Sequence, residues 1–422
     1  MGLIVQKFGG SSVADAASIR RVAQRIAATK RAGNDVVVVV SAMGDTTDEL
    51  LDLATEVVEG DPAPRELDML LTSGERISMA LLAMAIKSLG IDARSYTGSQ
   101  AGMITDEKHG KARILEVTPR RIQEAIADGA IAIVAGFQGF NRETGDITTL
   151  GRGGSDTTAV ALASAMGADV CEIYTDVDGI FTADPRVVPR AHKIDRVTTE
   201  EMVELAAAGA KVLYIRAVEF ARRHGVTIHV RSSFSELEGT IVTNRSEEDA
   251  VEEPVVTGVA TDLSEAKITI VGVPDVPGKA AQIFTIVADA HANVDMIVQN
   301  VSTTQSGKTD ISFTLPKSDV PEALRVLEAA RDAVGYAEIL HDEDIAKVSV
   351  VGAGMRSSAG VSAKLFTALF EAGVNMEMIS TSEIRISVVT RATSAMSAAR
   401  AIHTAFGLDG DADAIVYAGT GR

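Results

Sequence analysis

The sequence predicts an α/β protein in which a mostly parallel sheet with helices on both faces is followed by two small α+β modules. Strand and helix patterns alternate through the first half of the chain, which requires crossover connections and therefore parallel strands. Residues 36–40 are five consecutive valines, as expected for a strand that is buried on both faces. An internal repeat fills much of the second half and predicts two copies of one module.

Each element of the first half is predicted from its hydrophobic period. The strand candidates, in chain order, cover 3–6, 36–40, 130–135 and 170–174. The helix candidates cover 13–32, 78–89, 118–128 and 157–166. Gly33 supplies a C-terminal stop for the first helix. Because ligands on a parallel sheet bind at the carboxyl ends of its strands, the loops that follow these strands form the candidate site.

The second half repeats itself after a polar segment. Residues 266–272 match 346–352, and residues 293–297 match 375–379. The preceding segment, 244–254, is acidic and ends in proline, which is typical of a linker. The predicted division is a first domain over 1–245, a linker over 246–263, and modules over 264–345 and 346–422. We expect the two modules to pack as a pseudo-symmetric pair.

The composition argues against several classes of protein. The chain of 422 residues has a formal net charge of −18, so binding to nucleic acid or to an anionic membrane surface is disfavoured. Cys171 is the single cysteine, which excludes an internal disulfide and indicates a reducing compartment such as the cytoplasm. The N-terminus shows no signal-peptide pattern, and no apolar run is expected to span a bilayer.

The loop after the first strand is rich in glycine. It contains Lys7, Phe8, Gly9 and Gly10. The glycines let the backbone approach an anion closely, and Lys7 adds a positive charge suited to phosphate. A glycine turn with a solvated lysine explains the same residues equally well.

The next two candidates have equally good structural explanations. Ser41 and Thr47 follow the five-valine strand and fit either a second ligand loop or a simple turn. Thr72 and Glu75 precede an apolar helix and match a capping box, which would explain Glu75 without any function.

Residues 148–158 are the most informative stretch, because three glycines, one arginine and one aspartate lead into a helix. Arg152 is poor core material and suits a carboxylate, whereas the glycines suit an oxyanion or a phosphoryl group. Asp156 either caps the helix or orients a neighbouring lysine. The candidates in this loop are Arg152, Gly153, Gly154, Ser155 and Asp156.

Two acid-rich patches, 174–179 and 181–186, leave the strand 170–174. They fit the ribose and phosphates of a nucleotide, or a loop of solvated acids, and their tandem arrangement favours the nucleotide. The sequence has neither a P-loop motif nor a G-x-G-x-x-G motif, and its seven histidines lack zinc spacing.

Six motifs occur together in one order: KFGGSS, VSAMGDTTDEL, LLTSGERIS, AGFQG, TTLGRGGSDTTA and YTDVDGIFTADPR. Together with the duplicated module they cover nearly the whole chain. Each motif alone is weak, but the ordered set closely resembles the aspartate kinases of the monofunctional bacterial type that lysine and threonine regulate. The resemblance implies an amino-acid-kinase fold followed by two ACT domains, which are small ligand-sensing modules.

The resemblance also implies a reaction. Aspartate kinases use ATP with Mg²⁺ to phosphorylate the side-chain carboxylate of L-aspartate, giving 4-phospho-L-aspartate. That product opens the route to lysine, threonine, methionine and diaminopimelate. Phosphoryl transfer depends on positioning and electrostatic stabilisation, and a carboxylate that is ionised near neutral pH needs no general base.

The roles of site residues follow from the resemblance. Lys7 would neutralise charge on the transferred group, and Asp156 would position Lys7. Arg152 would clamp a substrate carboxylate, and Glu75 would face the ammonium group of aspartate. The other substrate positions are Ser41, Thr47, Gly153, Gly154 and Ser155. The other ATP positions are Phe8, Gly9, Gly10, Thr175, Asp176, Phe181, Thr182, Ala183, Asp184, Pro185, Arg186 and Lys211.

The resemblance further implies effector sites for lysine and threonine in the two modules. The family's effector positions are Asp275, Val276, Pro277, Gly278, Lys279, Ala280, Asn293, Val294, Asp295, Gln299, Val361, Ser362, Asn375, Met376 and Ser382. The copies differ in these loops, which fits two non-equivalent sites and leaves open which amino acid binds where. A homo-oligomer, or an α2β2 assembly paired through the modules, is expected.

Two other functions are considered. One is a different amino-acid kinase, acting on glutamate, acetylglutamate or a nucleotide, and the 152–156 stretch with the duplicated modules argues against it. The other is a non-catalytic amino-acid sensor, which the joint presence of Lys7, Glu75, Arg152 and Asp156 argues against.

Overall fold

The computed structural model describes residues 2–244, 255–300 and 307–417. The strands of the first range are β1 Leu3–Phe8, β2 Asp35–Val40, β3 Ala93–Tyr96, β4 Met103–Thr105, β5 Ile114–Val117, β6 Ile131–Ala135, β7 Gln138–Phe140, β8 Ile147–Thr149, β9 Val170–Thr175, β10 Ile180–Phe181, β11 Lys193–Ile194, β12 Arg196–Thr198, β13 Ile228–Ser232 and β14 Thr240–Thr243. Its helices are α1 Ala16–Arg31, α2 Thr46–Val57, α3 Pro64–Ser88, α4 Arg120–Ala127, α5 Gly154–Met166, α6 Thr199–Ala207 and α7 Ile215–His224.

Eight strands form the central sheet in the order β12-β14-β13-β9-β1-β2-β6-β3. The strands from β13 to β3 are parallel, and β14 is antiparallel to β13. Along β2 the valines alternate between two cores: Val37 and Val39 pack on the side of α5 and α7, and Val38 packs on the side of α1 and α3. The predicted parallel sheet with helices on both faces is therefore confirmed. A smaller sheet, β5-β4-β7-β8, lies beside it.

Helix α3 begins earlier than the sequence predicts, with Pro64 at its first position. Thr72 and Glu75 therefore lie inside the helix, and the capping-box interpretation is wrong. The Thr72 hydroxyl donates to Met69 O at 3.1 Å, and Glu75 Oε1 accepts from Ala42 N at 3.2 Å, so neither side chain caps a helix end.

Among the described helices, α3 is long and apolar enough to cross a membrane by length and composition alone. Half of its most apolar window is buried inside the fold. Leu82 and Ile86 of α3 are fully buried in the same cluster as the valines of β2. The place of α3 in the core therefore accounts for its hydrophobicity.

The second half forms two four-stranded antiparallel sheets, β17-β18-β16-β19 and β15-β20-β22-β21. The strands are β15 Gly258–Asp262, β16 Glu265–Pro274, β17 Ile297–Gln299, β18 Lys308–Pro316, β19 Glu338–Asp342, β20 Ile345–Val351, β21 Met378–Thr381 and β22 Arg385–Arg391. The helices are α8 Lys279–Asp289, α9 Val320–Ala329, α10 Arg331–Val334, α11 Val361–Glu371 and α12 Ala395–Ala405. Each sheet has its own apolar core, so the two α+β modules that the repeat predicts are confirmed.

The predicted linker over 246–263 needs correction in its second part. Residues 246–254 lie outside the described residues, but Gly258–Asp262 form β15, which pairs with β20 in the second module. The first module is thus inserted between two strands of the second module's sheet. The sequence does not reveal this pairing, because the partner strand follows only after the whole first module.

Candidate active site

The carboxyl ends of five parallel strands meet at one edge of the central sheet, here called the carboxyl edge. The register aligns, to within one residue, their last residues Phe8, Val40, Ala135, Thr175 and Ser232. Backbone hydrogen bonds tie the first residue of a loop to the end of the neighbouring strand: Ser41 N donates to Phe8 O at 3.1 Å, and Gly136 N donates to Val40 O at 3.0 Å. The loops that follow these strands therefore begin side by side at this edge.

Lys7, near the end of β1, pairs with the first turn of α5. Its Nζ lies 2.6 Å from Asp156 Oδ1, and the two side chains are only 13% and 10% exposed. Helix α5 begins at Gly154, earlier than predicted, and Gly153 is its N-cap without any side-chain cap. Of the two interpretations of Asp156, the structure has the one in which the carboxylate contacts a lysine.

Two glycines follow β1 and allow close approach of its surroundings. A Cβ atom at Gly10 would lie 2.7 Å from Gly44 O and 3.1 Å from Ala42 O, so only glycine allows the loops after β1 and β2 to meet this closely. A Cβ atom at Gly9 would lie 3.4 Å from Lys7 Nζ. Gly9 therefore places no side chain of its own beside the ammonium group, and Gly10 lets the loop after β2 come close.

Glu75 reaches the loop after β2 from α3. It is 2% exposed, Oε1 accepts from Ala42 N, and Oε2 has no hydrogen-bond partner among the described residues. Burial raises the pKa of Glu75 to about 7. Ser78, one turn later, donates to Ser41 O at 2.7 Å, and Thr47 lies half-buried in the first turn of α2. A buried acid with an unsatisfied oxygen is suited to a cation such as an ammonium group.

The loop between β8 and α5 is held in one conformation. Gly153 has a φ of +68°, and a Cβ atom there would lie 2.0 Å from the ring of Tyr214, so no other residue fits. A Cβ atom at Gly136 would lie 2.6 Å from Ser155 Oγ, which brings the loop after β6 against α5. Arg152 is exposed and pairs with no other residue that the structure describes, so its guanidinium is available to a ligand.

The segment after β9 gathers part of the expected nucleotide site. Arg186 Nη2 donates to Asp176 Oδ2 at 2.7 Å, and Arg186 N donates to Asp184 Oδ1 at 2.9 Å. Thr175 Oγ1 donates to Asp176 Oδ1 at 3.0 Å. This cluster follows β9, which is paired with β1, and so lies at the same carboxyl edge. Lys211 is exposed in the turn between α6 and α7.

Thr182 and Ala183 do not lie at the open edge. Thr182 Oγ1 is 2.8 Å from His403 Nε2 of α12, and Thr182 O accepts from Val259 N at 2.7 Å. Ala183 belongs to the core cluster of the second module. Both side chains are buried between the domain that holds the central sheet, here called the catalytic part, and the second module. Their predicted contact with ATP stays a prediction, and in this position it would have to involve the backbone. Of their neighbours, Phe181 is half-buried and Pro185 is buried.

Gly136 and Phe137 lie at this edge but were not predicted as site residues. Phe137, directly after Gly136, has a φ of +69°, which is a strained conformation for a bulky side chain. Its N–H donates to Thr158 Oγ1 at 3.2 Å and its carbonyl accepts from Leu150 N at 2.8 Å. The motif AGFQG contains both residues, but nothing in its letters signals a left-handed phenylalanine.

The first module brings most of its expected effector positions together. A cavity of about 290 Å³ is lined by Asp275, Val276, Pro277, Gly278, Lys279, Ala280 and Gln299. Asn293 is exposed and Val294 is half-buried. Asp295 Oδ2 lies 2.7 Å from Lys347 Nζ, and its Oδ1 lies 3.8 Å from Arg385 Nη2, so this carboxylate is already paired with the second module.

In the second module the expected effector positions lie in different surroundings. Val361 lines a cavity of about 950 Å³ between the catalytic part and this module, and Ser362 follows it, exposed, on α11. Asn375 and Met376 precede β21, and Ser382 follows it. The two copies therefore lie beside different cavities, and the presence of two non-equivalent effector sites stays a prediction.

The chain matches two family models. Residues 2–232 match the amino acid kinase family, and residues 268–330 and 348–406 match the ACT domain. Over 422 residues the chain is 62% identical to the aspartokinase of Mycobacterium tuberculosis (strain ATCC 25618 / H37Rv), with 100% of both chains covered.

Solved structures extend the comparison. The crystal structure of E. coli aspartokinase III in complex with aspartate and ADP, in the R-state, has a TM-score of 0.82 at 25% identity and covers 96% of this chain and 99% of that one. The complex of E. coli aspartokinase III with lysine and aspartate, in the T-state, has a TM-score of 0.69 at 26% identity and covers 95% and 99%. The chain therefore belongs to the amino acid kinase family, and within it to the aspartate kinases with ACT domains.

Proposed function

We propose that the carboxyl edge transfers the γ-phosphoryl group of ATP to the side-chain carboxylate of L-aspartate and forms 4-phospho-L-aspartate. The Lys7–Asp156 ion pair carries this proposal, because it fixes an ammonium group between the loops for the amino acid and the segment for the nucleotide. The unpartnered oxygen of Glu75 suits the ammonium group of aspartate, and the exposed Arg152 suits one of its carboxylates. The aspartate and ADP of the E. coli R-state complex support the same pair of ligands.

Charge explains why this edge suits the reaction. Both reactants are anions and the chain itself has a net charge of −18, so positive potential must be supplied locally. Lys7, Arg152 and the N-terminus of α5 supply it at the point where negative charge develops. The acceptor carboxylate is ionised near neutral pH, so the site needs to position it but not to deprotonate it.

ATP is proposed to bind along the end of β1 and the segment after β9. Gly9 and Gly10 would offer backbone N–H groups to the phosphates, and the 181–186 segment would contribute mainly through its backbone and through Arg186. Among the described residues no group of three or more His, Cys, Asp or Glu side chains is placed to hold a metal. Mg²⁺ is therefore proposed to enter with ATP as its counter-ion, where it neutralises phosphate charge.

The test replaces Lys7 with alanine. Turnover in an ATP-dependent aspartyl-hydroxamate assay should fall at least about a hundredfold, with a much smaller change in KM for ATP, because this charge acts mainly in the transition state. Lys30→Ala is the matched control, since Lys30 pairs with Asp35 at the opposite edge of the sheet, and it should retain wild-type turnover. Near-normal turnover of Lys7→Ala would refute the proposed site.

The same assay separates the alternatives. A panel of aspartate, glutamate and acetylglutamate should show phosphorylation of aspartate, and preference for another acceptor would favour a different amino-acid kinase. Absence of phosphoryl transfer to every acceptor would favour a non-catalytic amino-acid sensor.

We also propose that lysine and threonine regulate the enzyme through the modules. The cavity around Gly278 and Gln299 supports this, and so does the lysine complex of the E. coli enzyme. Each amino acid alone and both together should be titrated against activity at fixed substrate concentrations. We expect inhibition at millimolar concentrations, because effector binding would favour one arrangement of the module pair. No response to either amino acid or to the mixture would contradict the proposal.

Further features of the biology are proposed on the same basis. The division into 1–245, 246–263, 264–345 and 346–422 is retained, with β15 assigned to the second module. A homo-oligomer or an α2β2 assembly through the modules is proposed.

The reaction is proposed to stand at the start of lysine, threonine, methionine and diaminopimelate biosynthesis. A cytoplasmic location is supported by the single, fully buried Cys171.

A further inference from the structure

Asp68 on α3 is a fully buried acid. It is 1% exposed. Its polar contacts all go to the 109–110 turn and to Thr149, three residues before Arg152. Its carboxylate accepts from Thr149 Oγ1 at 2.6 Å, from Thr149 N at 3.1 Å and from Gly110 N at 3.1 Å, and it lies 2.7 Å from His109 Nδ1. A single side chain thus ties the end of β8 to the 109–110 turn.

Arg216 on α7 ties the same two segments. Its Nη1 donates to Leu150 O at 2.6 Å, and its Nη2 donates to Ala112 O at 3.0 Å. A direct backbone hydrogen bond, from Ala112 N to Thr149 O at 2.9 Å, joins the segments between these two contacts. Residues 109–112 and 149–150 are therefore clamped by an acid from α3 and by a guanidinium from α7.

The loop that carries Arg152 begins directly after the segment that Asp68 and Arg216 hold. Arg152 follows Leu150 by two residues, and the intervening Gly151 has a φ of +78° and lies against Gly110 O, which a Cβ atom would approach to 2.9 Å. Gly153 then packs on Tyr214, two residues before Arg216. An exposed arginine on a loop has no fixed position of its own, so its location depends on these anchors.

Helix α3 connects the clamp to Glu75. Asp68 and Glu75 are seven residues apart, or two turns, and therefore lie on the same face of the helix. One rigid element thus holds both the acid proposed for the ammonium group of aspartate and the anchor of the loop proposed for its carboxylate.

We infer that Asp68 and Arg216 are positioning residues for aspartate, which set the distance between Arg152 and Glu75. This inference rests on the proposed function of Arg152. Neither side chain touches the substrate in this scheme, and both act through the loop. Their loss should therefore weaken the use of aspartate and leave the use of ATP almost unchanged.

The test is a double-mutant cycle in the full-length enzyme. Asp68→Asn keeps the shape of the side chain but places an amide donor against several donors, and Arg216→Ala removes two hydrogen bonds. Each should raise KM for aspartate about tenfold or more and change KM for ATP less than twofold. In an Arg152→Ala background each effect should shrink to less than twofold, because a residue that acts through Arg152 has nothing left to position.

Controls separate folding from positioning. Asp169→Asn is matched to Asp68→Asn, because Asp169 accepts from Leu3 N at the opposite edge of the sheet, and it should leave both KM values unchanged. Thermal unfolding of each variant shows whether it is folded. If Asp68→Asn fails to fold, Arg216→Ala and its conservative partner Arg216→Lys, which should recover part of the loss, decide the question.

Two other results overturn the inference. Equal effects in the wild-type and Arg152→Ala backgrounds, or equal increases in both KM values, would mean that Asp68 and Arg216 only stabilise the fold. An Arg152→Ala variant with normal KM for aspartate would instead show that the proposed role of Arg152 is wrong, and the positioning role would fall with it.

Discussion

At the scale of single residues, Asp156 and Glu75, two buried acids of the carboxyl edge, are held in opposite ways. Asp156 contacts a lysine at 2.6 Å, whereas Glu75 has one oxygen on a backbone N–H and the other without a partner in the described chain. Glu75 is therefore a buried carboxyl group with only one of its two oxygens hydrogen-bonded within the described residues. Such a group is costly when ionised, which is why burial raises its pKa to about 7.

The raised pKa makes stability depend on pH. The folded state holds the Glu75 proton more tightly than the unfolded chain, whose ordinary value is 4.5, so Glu75 lowers the free energy of unfolding as pH rises from about 4.5 through 7. Glu75→Gln removes this dependence. The difference in unfolding free energy, variant minus wild type, should increase by about 3 kcal/mol between pH 4.5 and pH 8. Urea unfolding at several pH values measures it.

The same variant should also lose aspartate binding, because a neutral amide does not pair with an ammonium group. A gain in stability at pH 8 together with a large rise in KM for aspartate identifies Glu75 as a residue kept for function at a cost in stability. Glu124→Gln, an exposed acid on α4, is the control and should show the wild-type pH profile. Parallel pH profiles for Glu75→Gln and wild type would contradict the prediction.

At the scale of elements, the sequence predicts best where burial alone decides the structure. The five valines of β2 are fully buried on both faces, so their pattern leaves no other assignment. The start of α3 was missed because Thr72 and Glu75 satisfy a capping rule that is local, whereas their actual partners, Met69 O and Ala42 N, depend on the fold. A capping pattern is evidence for a helix start only when the preceding residues cannot be helical.

The candidate site shows the same limit. The glycine loops were found because glycine marks close approach, and Gly10 and Gly153 both lie where a Cβ atom would clash. The motif that contains Thr182 gave no sign that its hydroxyl contacts α12 of the second module. Contacts between domains leave no period or spacing in a sequence, so they could not be predicted from it.

At the scale of the whole molecule, ion pairs link a proposed effector position to the catalytic part. Arg385 Nη1 lies 3.2 Å from Glu204 Oε2 on α6, and its Nη2 lies 3.8 Å from Asp295 Oδ1 in the first module. Asp295 also pairs with Lys347, which is 1% exposed. Helix α6 in turn packs against α7, the helix that carries Arg216 and holds the substrate loop. An effector that competes for Asp295 would therefore change the partners of an arginine in direct contact with the catalytic part.

Arg385→Gln tests this link between effector and catalysis. The substitution removes a charge that contacts both parts, so the coupling between effector and activity should weaken even where each site still binds its ligand. We expect the concentration of lysine or threonine for half-maximal inhibition to rise about threefold or more, or maximal inhibition to fall, with wild-type activity in the absence of both. Arg325→Gln is the matched control, because Arg325 pairs only with Glu322 on the exposed face of α9 in the described structure, and it should be inhibited like wild type. Unchanged inhibition of Arg385→Gln would mean that this arginine does not carry the signal, and that regulation reaches α6 by another contact.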